Sequence, residues 1–303
     1  MTGTEPPSGG PTARRWIACA DDFALDPGAV DGIVDLIERG RITATSALVD
    51  SPLWRSAAGA LPSDVRPGAR AALPSADVGL HLNLTQAFPA RSMSVWPLGE
   101  LLARCALGAL PRAPVRDSIE HQLDAFEDAM GRRPDYVDGH QHVHQFAVVR
   151  DELVAALLRR YRADLPWLRS TRAPPTVRDF KARSIAALGD RRLRQLAASS
   201  NLATSAYLVG VYRFRADERA YWRRLRQWVR SGPDGTVLMS HPSTRAMPGD
   251  AIAVARTMEF ATLASAPYGA LLAEAMITLT TGSRLLSART TPPTHATGVT
   301  AGR

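Results

Sequence analysis

Short apolar runs alternate with amphipathic stretches along most of this chain. "RWIACA", "ITATSALV", "ADVGLHLNL", "DYVDG", "PWLRST", "GTVLMSH" and "AMITLTT" each read as a strand, brief, apolar and bounded by polar or turn-forming residues. Segments of helical periodicity lie between them, near 98–107, 115–130, 147–162, 181–199, 216–231 and 250–264. "DPGAVDGIVDLIERG" carries its own punctuation: Asp26 as N-cap, Pro27 at the first helical position, Gly40 as C-cap. Regular alternation of strand and helix predicts a parallel sheet. This many units predict an α/β fold, a single-domain distorted (β/α) barrel of TIM-barrel-like form. The domain is expected over residues 15–285, with 1–14 and 286–303 as disordered tails rich in Pro, Gly and Thr.

In such folds chemistry gathers at the C-terminal ends of the strands, and the polar residues can be tested against that rule. Asp21 and Asp22 follow "WIACA", His81 closes "DVGLH", and His140 follows "YVDG". Arg169 and Arg172 end "PWLRSTR", and His241 ends "TVLMSH". Random placement would scatter these groups to both ends; all fall at one. In "DGHQHVH" three of the chain's seven histidines, His140, His142 and His144, occupy alternate positions, the spacing of one strand face.

Composition narrows the class. At 303 residues and 45% hydrophobic content the chain can bury a large core, and no apolar run is long enough to span a bilayer. Two cysteines set no disulfide framework, and "MTGTEPPSGGPTARR" lacks the apolar core of a secretory signal, so a cytoplasmic location is expected. The net charge is +8, nearly all from Arg, with Lys181 the single lysine. An Arg- and Ala-rich composition accounts for such a charge without a nucleic-acid partner, and none is expected. The densest basic stretch, "RAYWRRLRQWVR", places Tyr221, Trp222, Leu225, Trp228 and Val229 on one apolar helix stripe with arginines on the other faces.

One carboxylate and two imidazoles from separate strand ends suit a divalent cation with positions open to water and substrate. Asp22, His81 and His140 are the expected ligands. Mg²⁺ and Zn²⁺ are the candidate ions, since one oxygen and two nitrogens suit Zn²⁺ and an open, wet site accepts Mg²⁺. Asp21, beside a ligand, is placed to take a proton from water, and His241, from another strand end, to give one to a leaving amine. His142 and His144 are expected to orient neighbouring groups or line the pocket, and Asp138 to accept an imidazole N–H. Two other readings stay open: a metallo-phosphoesterase or other amidohydrolase on the same barrel, and a non-catalytic glycan- or lipid-binding module.

"ADDFALDPGAVDGI", "ITATSALV", "VGLHLNLT", "DGHQHVHQF" and "VLMSHPS", in this order, resemble the YdjC-type carbohydrate deacetylase family over about residues 15–285. The resemblance implies a barrel-like fold and a metal-dependent hydrolase that deacetylates N-acetylated sugars such as chitooligosaccharides. It carries metal ligation onto Asp22, His81 and His140, the catalytic Asp onto Asp21 and the acid onto His241. It makes Arg169, with Arg172 nearby, a candidate substrate contact. The implied partner is a small-molecule or oligosaccharide substrate with an acetylamino group, free or lipid- or phosphate-linked, and a homodimer is compatible with it. Two departures stand out: Ala24 replaces a usual Gly, and Asp50 stands where an amide is frequent.

Overall fold

Arg14–Phe23 forms a ten-residue strand, β1, on which the rest of the sheet is hung. The structure, a computed structural model, describes residues 13–62, 74–89, 95–162, 164–215 and 217–290. After β1 come α1 (Pro27–Glu38), β2 (Ala44–Ala47), α2 (Trp54–Ala57), β3 (Asp77–Leu82), α3 (Leu98–Ala106), α4 (Arg112–Met130), β4 (Tyr136–Gly139), α5 (Val149–Tyr161) and β5 (Trp167–Leu168). The second half holds α6 (Phe180–Ala187), α7 (Asp190–Ser199), β6 (Tyr207–Val209), α8 (Glu218–Ser231), β7 (Thr236–Ser240), α9 (Ala253–Ala264), α10 (Ala266–Glu274), β8 (Ile277–Leu279) and α11 (Gly282–Thr290).

All strand pairs are parallel, in the order β5-β4-β3-β2-β1-β7-β6, with β8 against the start of β1. A parallel bridge from Leu168 to Thr204 and a hydrogen bond from Leu208 N to Arg172 O draw the β6 side toward β5, so the sheet curls toward closure. The fold is the expected single α/β domain, a distorted barrel.

Period-two alternation along the strands sorts two cores. Ile17 and Cys19 of β1 join Tyr136, Trp167, Leu208, Val237 and Met239 inside the curl. Leu285 and Leu286 of α11 close that inner core from one end. Trp16, Ala18 and Ala20 face the other way, into the larger core under the helices. α1 begins as its sequence predicts: Asp26 accepts the Ala29 N–H at 2.9 Å, and Gly40, just past the end, is left-handed at φ 63. The single helix expected over 181–199 is two, α6 and α7, separated at Leu188–Gly189. α11 runs to Thr290, past the boundary drawn at 285, and the tail expectations for 1–12 and 291–303 fall outside the described residues.

Two small residues show how tightly the inner strands approach. Ala24 takes φ 68, which costs a non-glycine residue about 1 kcal/mol. Its methyl is fully buried, and burial of one such group returns about 0.8 kcal/mol. At Gly79, a Cβ would stand 2.5 Å from the Tyr136 ring, which stacks on Trp167 at 4.3 Å between centroids. Gly79→Ala should therefore displace that stack and lower unfolding stability by about 1–3 kcal/mol. Chemical denaturation measures this, and an unchanged midpoint would refute the packing argument.

Candidate active site

Both aspartates of β1 reach the rim because the strand is irregular there. Consecutive side chains of a regular strand face opposite ways. Here the pairing of β1 with β2 shifts register between Ala20 and Phe23, and Asp22 has left-handed backbone at φ 66. The bulge brings Asp22 round, so that Asp21 and Asp22 line the same cleft.

Asp22 Oδ1 lies 3.0 Å from His140 Nδ1 and 3.2 Å from His81 Nε2. The ligating atoms of Asp22, His81 and His140 all fall within 4.8 Å of one another. Each is held from behind. His81 Nδ1 is 2.6 Å from Asp138 Oδ1 and 3.0 Å from Ser46 Oγ, so its Nε2 is the nitrogen turned to the site. Asp22 Oδ2 accepts from Arg256 Nη2 at 2.7 Å, which leaves Oδ1 beside the imidazoles.

The alternating histidines do not share a strand face. β4 stops at Gly139, and His140–Gln145 makes a tight 3-10 turn in which Gln141 and His142 are left-handed, φ 54 and 61. The three rings go to three places. His140 faces Asp22, and His142 lines the cleft. His144 is buried with Nε2 2.8 Å from the Arg169 carbonyl, which can only accept, so Nε2 carries the proton.

Arg169 is the largest departure from expectation. It was expected at the substrate, and it is fully buried and forms no part of the cleft wall. Its guanidinium grips Asp21 at both oxygens, 2.5 and 2.8 Å, and reaches Asp138 Oδ2 at 2.8 Å. Arg172 is exposed, lies over the Tyr207 ring at 4.9 Å and does not line the cleft. The Asp50 carboxylate accepts from Asn83 Nδ2 at 3.2 Å and does not line the cleft.

His241 arrives from the end of β7. Its Nε2 stands 3.9 Å from Asp21 Oδ2 and its Nδ1 4.0 Å from Glu259 Oε2. Glu259 also accepts the His241 backbone N–H and, at 2.5 Å, the Tyr212 hydroxyl. The Phe214 ring meets the imidazole edge-on at 5.0 Å.

Electrostatics follow from burial and pairing. Burial opposes charge on His81, but Asp138 and Asp22 outweigh it and hold the imidazole up at about 10. Burial likewise opposes charge on Asp22, yet Arg256 and His140 hold its carboxyl well below the usual range. His241 goes the other way: burial takes it down to about 4 despite Asp22 and Asp21. Burial pushes Glu259 up to about 7 against its two hydrogen bonds.

A second group, Cys19, Asp21 and Asp138, also brings ligand atoms close together. The Arg169 guanidinium already stands among them, 3.7 Å from Cys19 Sγ, and burial pushes that thiol well up. The cation there is the arginine. The cleft over the Asp22 group encloses about 780 Å³. Its floor is charged and its walls carry Leu25, Leu98, Leu102, Ile185 and Phe214.

The structure thus gathers Asp21, Asp22, His81, His140 and His241 at one cleft. The sequence reading missed Arg256, Glu259, Tyr212 and Ser46. A signal existed for two of them: Arg256 and Glu259 fall on the buried stripe of α9 with Ala255 and Leu263, where charge has no place without a partner.

Comparison with known proteins adds the family. A model of the YdjC-like protein family matches residues 15–274. A mouse protein named Carbohydrate deacetylase is 34% identical over 142 residues, 43% of this chain and 43% of its own length. The human protein of that name is 33% identical over 43% of this chain and 41% of its own, so the chain aligns with less than half of either. A Chitooligosaccharide deacetylase of Enterobacter sp. (strain 638) is 26% identical over 247 residues, 76% of this chain and 82% of its own. Among solved structures, an Enterococcus faecalis V583 protein, whose name provisionally assigns it to cellobiose-phosphate cleavage, superposes with a TM-score of 0.66 at 22% identity. That superposition covers 91% of this chain and all of the other, a likeness of fold. With its family model matched over most of its length, the chain belongs to the YdjC-like protein family.

Proposed function

We propose that this protein is a divalent-metal-dependent hydrolase that removes the acetyl group from an acetylamino sugar. The observation that carries the reading is the meeting of Asp22, His81 and His140 ligand atoms within 4.8 Å, beside Asp21 and His241. The names of the relatives, carbohydrate and chitooligosaccharide deacetylases, support the substrate class.

The donor set fits an ion. One carboxylate oxygen and two imidazole nitrogens converge, and Asp138 fixes the tautomer of His81 so that Nε2 is turned inward. A divalent ion held there acidifies water and draws charge from an acetyl carbonyl. Zn²⁺ suits the nitrogens, and Mg²⁺ suits an open, water-rich site.

The chain's own residues supply the proton traffic. Asp21 lines the cleft and takes the proton of the attacking water, while Arg169 fixes the plane of its carboxylate. His241 rests neutral at neutral pH, because burial lowers it to about 4, so it must gain a proton before it can give one. Its Nε2 lies 3.9 Å from Asp21 Oδ2, and the proton that Asp21 takes up reaches the leaving nitrogen through this pair. Glu259 holds the other side of His241, by its backbone N–H and near its Nδ1. Water adds to the carbonyl carbon, the C–N bond breaks, the amine keeps the transferred proton, and the acid product leaves as acetate after giving its remaining proton to solvent.

Acetate release from an N-acetylated chitooligosaccharide should stop after thorough chelation and return with added divalent ion. Asp22→Ala should lose the bound ion. Asp21→Asn should keep it and lower kcat about 100- to 10,000-fold, the usual share of a positioned base. Full activity in the chelated protein or in Asp21→Asn would reject the mechanism.

Ion binding should also release a proton. At pH 7 the ion-free His81 is an imidazolium, held up at about 10. A ligand nitrogen must be deprotonated. Affinity should therefore rise about tenfold per pH unit until the pH nears that value. Titration calorimetry of Zn²⁺ into ion-free protein, in two buffers of different ionisation heat, should show about one proton released near pH 7. No buffer dependence would show that His81 is already neutral before the ion binds.

A further inference from the structure

The positive charge of this chain is concentrated. Residues 175–230 hold thirteen Lys and Arg against four Asp and Glu, an excess of nine, while the whole chain's excess is eight. Outside that segment acids outnumber bases by one. Composition alone does not produce this. Elsewhere arginines are matched: Arg112 and Arg116 with Glu152, Arg159 and Arg160 with Glu120. Within 175–230 three of the four acids are already engaged. Asp179 caps α6 and pairs with Arg224, Asp190 holds Ser170, Thr171 and Arg194, and Asp217 caps α8 beside Glu218. Arg178, Arg183, Arg191, Arg192, Arg213 and Arg215 are each exposed.

Large apolar groups stand among them. Phe180, at the start of α6, is 85% exposed, and Leu188, just past its end, is 45% exposed. The surface is continuous. Arg224 to Asp179, at 3.3 Å, ties α8 to α6. Lys181 ties α6 to the segment before α8 through the Tyr212 carbonyl at 2.6 Å and the Phe214 ring at 4.9 Å. It is also continuous with the cleft, since Lys181, Ile185 and Leu188 form part of the cleft wall.

We propose that this basic, Phe-tipped face docks the protein on an anionic lipid surface, with the cleft mouth beside the headgroups. Basic side chains near such a surface each strengthen partitioning about fivefold, and an exposed Phe and Leu settle at the headgroup–acyl boundary. A nucleic acid would engage the arginines but offers nothing to Leu188 and the aliphatic wall behind it. Docking is peripheral: among the described residues no helix is long and apolar enough to cross a membrane.

Docking needs no turnover, so its test is independent of the deacetylase reading. The full-length, ion-loaded protein is sedimented with phosphatidylcholine vesicles, with and without phosphatidylglycerol, at physiological salt. Binding is expected with phosphatidylglycerol only. It should weaken about fivefold in each of Arg183→Ala and Arg191→Ala and also in Phe180→Ser, all at the parent's melting temperature. Equal or absent binding to both vesicles, unchanged binding in these variants, or tighter binding to DNA than to the anionic vesicles would overturn the proposal.

Discussion

One buried guanidinium organises the rim of this barrel. Arg169, from the end of β5, holds Asp21 of β1 with two hydrogen bonds and Asp138 of β4 with a third contact, with no exposure to water. Two carboxylates this close, next to Asp22, would repel one another in a medium of low dielectric. The guanidinium removes that repulsion and sets their orientation, and a planar fork does this where an ammonium could not. Asp138 in turn fixes His81, and the Arg169 carbonyl fixes His144. Asp21, His81 and His144 thus hang on one side chain. Loss of one partner from such a buried cluster leaves uncompensated charge, at about 3–5 kcal/mol.

The rest of the site obeys the same demand for charge balance. Asp22 is covered by Arg256, and in the ion-free state His81 carries a proton between Asp22 and Asp138. Three carboxylates are then matched by two guanidiniums and one imidazolium. On the proposed function, a divalent ion held by Asp22, His81 and His140 would displace that proton and leave the cluster one charge more positive. α9 supplies the outer support: Arg256 to Asp22, and one turn later Glu259 to His241. Helical spacing makes these two contacts a single device, because residues three apart share a face.

Much of this was legible in the sequence, and the reason is geometric. Parallel strands share a direction, so polar residues that close separate strands must meet at one rim, and Asp21, Asp22, His81, His140 and His241 do. The elements that failed to show are those with weak local signals. β6 has three residues, too few for a period. The break between α6 and α7 at Gly189 depends on the Gln145 carbonyl, where a Cβ would approach to 2.0 Å, and that neighbour is distant in sequence. Arg169 read as a substrate contact because its position at a strand end says that it reaches the rim, not which way it points. The histidine run looked like a strand face, and only the left-handed Gln141 and His142 send its rings apart.

Interior and surface charges answer to different constraints, and here they separate cleanly. A buried Arg169 or Arg256 must be paired, because an unpaired buried ion is too costly to keep. No such rule governs an exposed arginine, and stability is nearly indifferent to where surface charges lie. Folding alone therefore explains the pairing at the rim but not the segregation of an excess of nine charges into residues 175–230. Arg-rich composition explains the total and not the segregation either, since α4 and α5 answer their arginines with glutamates. What remains is a property of the outer surface beside the cleft, and an exposed Phe180 within it points to a partner that is both anionic and apolar.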